Sequence, residues 1–295
     1  MKKTNNDSKL QLVVGIHPES YKVTDSRLNK PVCFKQMSQG IETGSMLVQD
    51  IDEVMIGSNR LTYFSPNNVA ILLSVLNKSL AIAKSISREQ FCLLSTVLDF
   101  QKTEEDKRAF LDAKSKDVCD YIEAIQTSIV FGYTALETFS NLSIPPDYVY
   151  QVELKSKGIK ELYDKNAIER WISLKDKILY ILTDIYKTTR IDKHKFWAHF
   201  SKLAKYRHEI IHQKAINSTS FYKAYFQGDI FDICSSPEQI IGFFYDQHAT
   251  DNRTNPLWPW LINHSNYFPV SYNYDSNSFE VVGNLYEGYN RKTKR

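Results

Sequence analysis

Up to about residue 64 the chain places its apolar residues in short runs, and from Ser65 onward it repeats them at intervals of three and four. The early runs are Leu10 to Ile16, Tyr21 to Thr24, Val32 to Phe34, Val54 to Ile56 and Leu61 to Phe64, set apart by Gly, Pro, Asn and Asp. Short β-branched runs of this kind predict strands, and the Gly57-Ser58-Asn59 break between the last two predicts a hairpin turn. At Ser65-Pro66-Asn67 the pattern changes, because Val69, Leu72, Leu73, Leu76, Leu80 and Ala83 line one face of a helix that Ser and Pro are suited to start. A second stripe, Val118, Ile122, Ile125, Ile129, Gly132, Leu136 and Phe139, holds its face for about six helical turns and stops at Pro145-Pro146. The third stretch, Gly158 to Tyr186, carries Leu162, Ile168, Trp171, Leu174, Ile178, Leu182 and Ile185 and divides near Ser173 into two predicted helices. The fourth, Lys195 to Lys214, carries Phe196, Phe200, Leu203, Tyr206, Ile210 and Ile211.

Helices joined by short polar connections predict an antiparallel bundle. Beyond Asn217 the chain is aromatic and polar, with a short helix expected at Pro237 to Tyr245 and a hairpin from Val270 to Tyr274 and Phe279 to Val282. The expected fold is therefore mainly α. A β-rich region spans 1–64, a helical bundle 65–216, and an irregular, aromatic-rich C-terminal extension 217–295. The basic tail Arg291 to Arg295 reads as frayed.

Composition narrows the function class. Lys and Arg number 37 against 34 Asp and Glu, so the net charge is +3. That is far from the excess of a chain that coats nucleic acid, and any RNA contact must come from a local patch. Hydrophobic residues at 42% and charged residues at 24% belong to a folded chain rather than a disordered one. Cys33, Cys92, Cys119 and Cys234 form no CxxC pair, which fits free thiols in a reducing cytoplasm better than a disulfide framework or a cysteine zinc site. The N-terminal apolar run is broken by Gln11 and Gly15 and is too short for a signal peptide. The richest apolar stretch, Val69 to Ile86, is interrupted by Ser74, Asn77, Lys78, Ser79, Lys84 and Ser85, so no membrane span is expected.

Chemistry concentrates in Lys205-Tyr206-Arg207-His208-Glu209-Ile210-Ile211-His212-Gln213. Two motifs overlap there. One is His-Glu-x-x-His, in which His208 and His212 share a helix face and could bind zinc with Glu209 as general base. Its surroundings are charged at Lys205, Arg207 and Lys214. Ala215 and Ser218 stand where the metzincin continuation has Gly and His, which leaves a distant acid such as Asp232 or Glu238 as third ligand. The other motif is Arg-x4-His, Arg207 to His212, with a polar residue directly after the Arg.

The second motif resembles the HEPN (higher eukaryote and prokaryote nucleotide-binding) family, whose helical bundles carry Arg-[Asn/Asp/His]-x-x-x-His near the end of a late helix. Three further stretches are similar to one branch of that family and occur in its order: Gly132-Tyr133-Thr134-Ala135-Leu136-Glu137-Thr138-Phe139, Glu169-Arg170-Trp171-Ile172-Ser173-Leu174-Lys175-Asp176-Lys177, and Phe200 through His212. The resemblance covers about residues 66 to 216. It implies an HEPN-like bundle, and it makes the zinc-like match incidental to His208 filling the polar position. It also implies a cytoplasmic, metal-independent endoribonuclease, a toxin or antiviral defence effector, with Arg207 and His212 catalytic and His208 and Glu137 supporting.

The physical chemistry agrees with that implication. A guanidinium grips phosphate through two donors, and a histidine moves protons near neutrality. Attack by a ribose 2′-hydroxyl needs a base, an acid and a cation, and one Arg with one His falls short. Five residues on a helix turn through about 500°, which leaves the two side chains about 140° apart unless the helix ends between them. Family members dimerise to bring two motifs into one cleft. The implied partners are RNA, a second copy of the chain, and an antitoxin or other defence-system protein, with no cofactor, metal or membrane. A non-catalytic HEPN module binding nucleotide, RNA or protein is the alternative, and a zinc peptidase ranks below it.

Each residue also has a plainer role. Arg207 could cap helix carbonyls or pair with Glu137, Tyr133 could only pack, and His194 and His199 near Trp197 suit the surface or core edge. Trp258-Pro259-Trp260 reads as packing.

Overall fold

Between Lys9 and Phe64 the described residues form mostly strands, because their apolar side chains alternate over short runs bounded by residues that tolerate φ > 0. The computed structural model describes residues 9–16, 25–28, 30, 32–92, 98–104, 106–154, 159–213, 219–247, 270–271 and 279–284. Tyr21 to Thr24, the Trp258-Pro259-Trp260 segment and the basic tail lie outside the described residues. Two units are present, Met1–Ile71 with Thr250–Arg295, and Leu72–Ala249.

In the first unit, β1 (Lys9–Gly15), β2 (Val32–Ser38), β3 (Ile41–Ile56) and β4 (Asn59–Phe64) are joined by two late strands, β7 (Val270–Ser271) and β8 (Phe279–Asn284). The order is β7-β2-β3-β1-β8, with β4 also on β3. Val14, Cys33 and Leu47 are buried on one face, with Leu12 and Phe64 packed against them. The β3–β4 turn lies where the sequence predicts it, with Ile56 opposite Asn59 and Gly57 at φ 62°. A second hairpin at Gln39-Gly40, both at positive φ, joins β2 to β3. The C-terminal hairpin expected from Val270 onward is corrected. Strand β7 pairs in parallel with β2 and β8 in parallel with β1, so the two sit at opposite edges of the sheet.

The second unit is mainly helical. Helix α1 (Asn68–Ile86) begins in the first unit, and Asn67 Oδ1 accepts from the amides of Val69 and Ala70 at 3.1 Å each. Leu73, Leu76, Leu80 and Ala83 are buried, while Asn77, Lys78 and Lys84 are exposed. With its continuation, Asn68–Phe91 is the one helix among the described residues long and apolar enough to cross a membrane by length and composition. Helix α2 (Lys107–Ser143) starts at Asp106, whose carboxylate accepts from Ala109 N at 2.9 Å. It stops at Ile144, held extended before Pro145 because proline disfavours helical backbone in the residue ahead of it.

Residues 150–163 differ from expectation. The stretch entering the third periodic run forms a hairpin of β5 (Tyr150–Leu154) and β6 (Ile159–Tyr163) rather than helix. Helix α3 (Lys165–Trp171) follows. The break at Ser173 is present, with Ser173 Oγ accepting from Asp176 N at 3.1 Å. Helix α4 (Leu174–Asp176) continues through a π-helical stretch, Lys177–Leu182, into α5 (Thr183–Tyr186). Helix α6 spans Lys195–Ile211.

The short helix expected from Pro237 is longer, α7 (Ile230–Gln247), with Pro237 inside it. Proline has no N–H for the carbonyl four residues back, and here Ser236 Oγ donates to that carbonyl, Ile233 O, at 2.7 Å. The expected C-terminal extension is therefore not one body: α7 lies in the helical unit and β7 and β8 in the sheet. All four cysteines are free, Cys33 and Cys234 buried, Cys92 and Cys119 exposed.

Candidate functional site

The site is built where the end of α6 lies against α2. Buried Trp197, Phe200 and Leu203 seat α6 in the bundle. Tyr206 meets the fully buried Tyr225 edge to face at 5.7 Å, and Tyr121 on α2 donates to the Tyr225 carbonyl at 2.8 Å. These contacts fix the last turns of the helix on which Arg207, His208 and Glu209 stand.

Arg207 is half-buried and turned toward α2, its guanidinium carbon 5.0 Å from the centroid of the Tyr133 ring. Tyr133 in turn stacks on Phe200 at 6.5 Å. Glu137 stands one turn further along α2. Burial pushes the Tyr133 phenol up, Glu137 adds to that rise and Arg207 opposes it, so both charges reach the same ring. The Arg207–Glu137 ion pair weighed from sequence does not form. Among the described residues neither Arg207 nor Glu137 has an ion-pair partner.

His208 and His212 are exposed, with ring centroids 4.6 Å apart. Helix α6 ends between Arg207 and His212: His212 is its capping residue at φ −116°, ψ 44°, with its amide still donating to His208 O at 3.0 Å. The structure thus brings His212 to His208 and Arg207 to Tyr133, and no hydrogen bond joins Arg207 to His212 within one chain. Glu209, the general base of the zinc reading, has Lys205 Nζ at 3.9 Å. Among the described residues no group of three His, Cys, Asp or Glu forms a metal cluster, so neither Asp232 nor Glu238 completes the histidine pair. His194 stacks on Phe196 and meets Phe243 edge to face, and His199 is buried, consistent with packing.

Lys177 and Asn141 escape the sequence reading. Lys177 is only 1% exposed, and its Nζ donates to Asn141 Oδ1 at 2.8 Å and to Glu169 O at 3.1 Å. Burial lowers its pKa, against which Glu137 and Glu169 act. Its signal in the sequence is its place between Leu174 and Ile178, inside an otherwise apolar stripe.

No family model, curated protein or solved structure matches the chain.

Proposed function

We propose that this chain is a metal-independent endoribonuclease of the HEPN type, a cytoplasmic toxin or antiviral defence effector that works as a homodimer on RNA. One observation carries the reading: the Arg207 guanidinium rests on the Tyr133 ring without a carboxylate partner. A cation held by the negative face of a ring rather than by a counter-charge keeps its paired N–H donors for an incoming anion, and a phosphodiester fits that fork. Beside it, an exposed helix end offers His212 and His208 as proton carriers.

In the proposed reaction a neutral histidine takes the proton of a ribose 2′-hydroxyl. The 2′-oxygen bonds to the adjacent phosphorus, and the bond from phosphorus to the 5′-oxygen breaks. A protonated histidine supplies the proton that the leaving 5′-oxygen needs. Arg207 stabilises the charge that develops on the nonbridging oxygens. The products are a 2′,3′-cyclic phosphate and a 5′-hydroxyl, and no water or metal enters the balance. Two chains supply the two histidines.

The test is incubation of purified protein with total cellular RNA in excess chelator, with end-group analysis of the fragments. Cleavage leaving 2′,3′-cyclic phosphate is expected. Fragments ending in 3′-hydroxyl, or cleavage that appears only with added divalent metal, would overturn the chemistry. RNA binding without cleavage would leave a non-catalytic binding module.

A further inference from the structure

Tyr133, Glu137 and Asn141 follow one another at intervals of four on α2, and so form one polar ladder up a face of the helix. Each end of the ladder meets a cation from another element. Arg207 of α6 lies on Tyr133, and Lys177, from the π-helical stretch after α4, is bonded to Asn141. Glu137 is the rung between them. It acts on Lys177 and on the Tyr133 phenol, yet forms an ion pair with neither Lys177 nor Arg207.

We propose that Lys177 is a positioning residue for the Arg207 site: its buried ammonium holds the Glu137 carboxylate back from Arg207, leaving the guanidinium open to phosphate. This rests on the reading of Arg207 as the anion-binding group of a ribonuclease. Two of the three ammonium protons are committed to Asn141 and to the Glu169 carbonyl, which fix the cation in place. A carboxylate between two cations is drawn to both, and deleting one leaves only the pull of the other. Without the Lys177 charge, Glu137 closes on Arg207 and forms the pair that the intact protein lacks. Lys177 also ties the π-helical stretch after α4 to α2 and α3, so its removal lowers stability as well. The two roles separate experimentally.

Lys177→Met keeps the length of the side chain and deletes the charge. It is expected to raise KM for a short RNA about tenfold with kcat within about threefold, and to weaken a 2′-O-methyl RNA oligonucleotide, which cannot be cleaved, by the same factor. Adding Glu137→Gln to Lys177→Met should return affinity to within about threefold of wild type while the melting temperature stays low, because the competing carboxylate is gone but the lost bonds are not. A purely structural Lys177 gives the opposite result, with no rescue.

Should Lys177→Met fail to fold, Glu137→Gln alone decides: with the carboxylate already held away from Arg207, binding of the 2′-O-methyl oligonucleotide within about threefold of wild type is expected, and a larger loss overturns the proposal. A third measurement does not depend on ribonuclease activity. The nitrogen-15 Nε resonance of Arg207, assigned by its loss in Arg207→Lys, should move in Lys177→Met and return in the double variant. If it moves and returns while the wild type neither cuts nor binds RNA, the coupling stands and the ribonuclease reading fails. If it does not move, Lys177 does not position Arg207.

Discussion

At the scale of single residues, the distinction that matters is between a charge that has a partner and one that does not. Surface ion pairs such as Lys205 with Glu209 are screened by water and contribute little, whereas Arg207 is half-buried on an aromatic face with its charge unmatched. In the proposed reading, an anion is the complement of that charge. Arg207→Ala and His212→Ala are each expected to lower RNA cleavage by about a hundredfold or more, with circular dichroism unchanged, since His212 is exposed and Arg207 holds no ion pair. Wild-type rates in either folded variant would remove that residue from the site. Glu238 on α7 is a different case. Burial raises its pKa above the ordinary 4.5, and Asn77 only partly opposes this. A raised carboxyl contributes its stability below the unfolded value and loses it as pH rises through the folded one. Glu238→Gln, which never ionises, should therefore gain in melting temperature relative to wild type between about pH 4 and about pH 7, and a gain that shrinks over that range would contradict the assigned direction.

At the scale of elements, close approach is what holds the helices together. A Cβ on Gly132 of α2 would lie 2.6 Å from Leu76 Cδ1 of α1 and 3.1 Å from Pro237 Cγ of α7. Leu76 is fully buried and cannot swing clear, and the Pro237 ring is stiff. Gly132→Ala should thus cost about 1–2 kcal/mol despite the better helix propensity of alanine, read as a lower melting temperature, and Leu76→Ala in the same chain should cost less than the sum of the two. The sequence displayed Gly132 in its stripe, though not the neighbours that require it. The long elements were legible for a related reason: α1, α2 and α6 each carry a period of 3.6 and an end signal, Asn67, Pro145 or the polar end after Ile211. What escaped was set by partners distant in sequence. The β5–β6 pair alternates, yet Leu162 could be counted in either period. Pro237 read as a helix start because only the fold shows Ser236 satisfying the carbonyl it strands. Strands β7 and β8 take partners about 240 to 270 residues upstream, and no local pattern names them. The same divide runs through the site. Arg207, His208 and His212 stand out as a motif, whereas Lys177 looks like one more surface lysine until the structure shows it buried against Asn141.

At the scale of the whole molecule, one chain carries only part of the proposed machinery. Arg207 faces α2 from a half-buried position, and His212 caps the helix in solvent, next to His208 but not bonded to Arg207. The proposed reaction needs a base, an acid and a cation around one phosphate, which two copies of the α6 end would supply in a dimer where they face each other. Light scattering is expected to show a dimer at working concentration. Subunit exchange then tests whether the second copy contributes residues or merely accompanies the first. Mixing Arg207→Ala chains with His212→Ala chains gives dimers that hold one intact Arg207 and one intact His212, and a shared cleft then lacks one of each. Such mixtures should be inactive or strongly impaired, and an excess of Arg207→Ala/His212→Ala chains should suppress wild-type activity as mixed dimers accumulate. Two independent sites behave differently, since each wild-type chain keeps its full rate whatever its partner. Undiminished activity per wild-type chain, with exchange shown by a fluorescence-labelled subunit, would therefore refute the shared cleft. It would also move the second proton carrier within a single chain, where His208, with its ring 4.6 Å from that of His212, is the residue placed to serve.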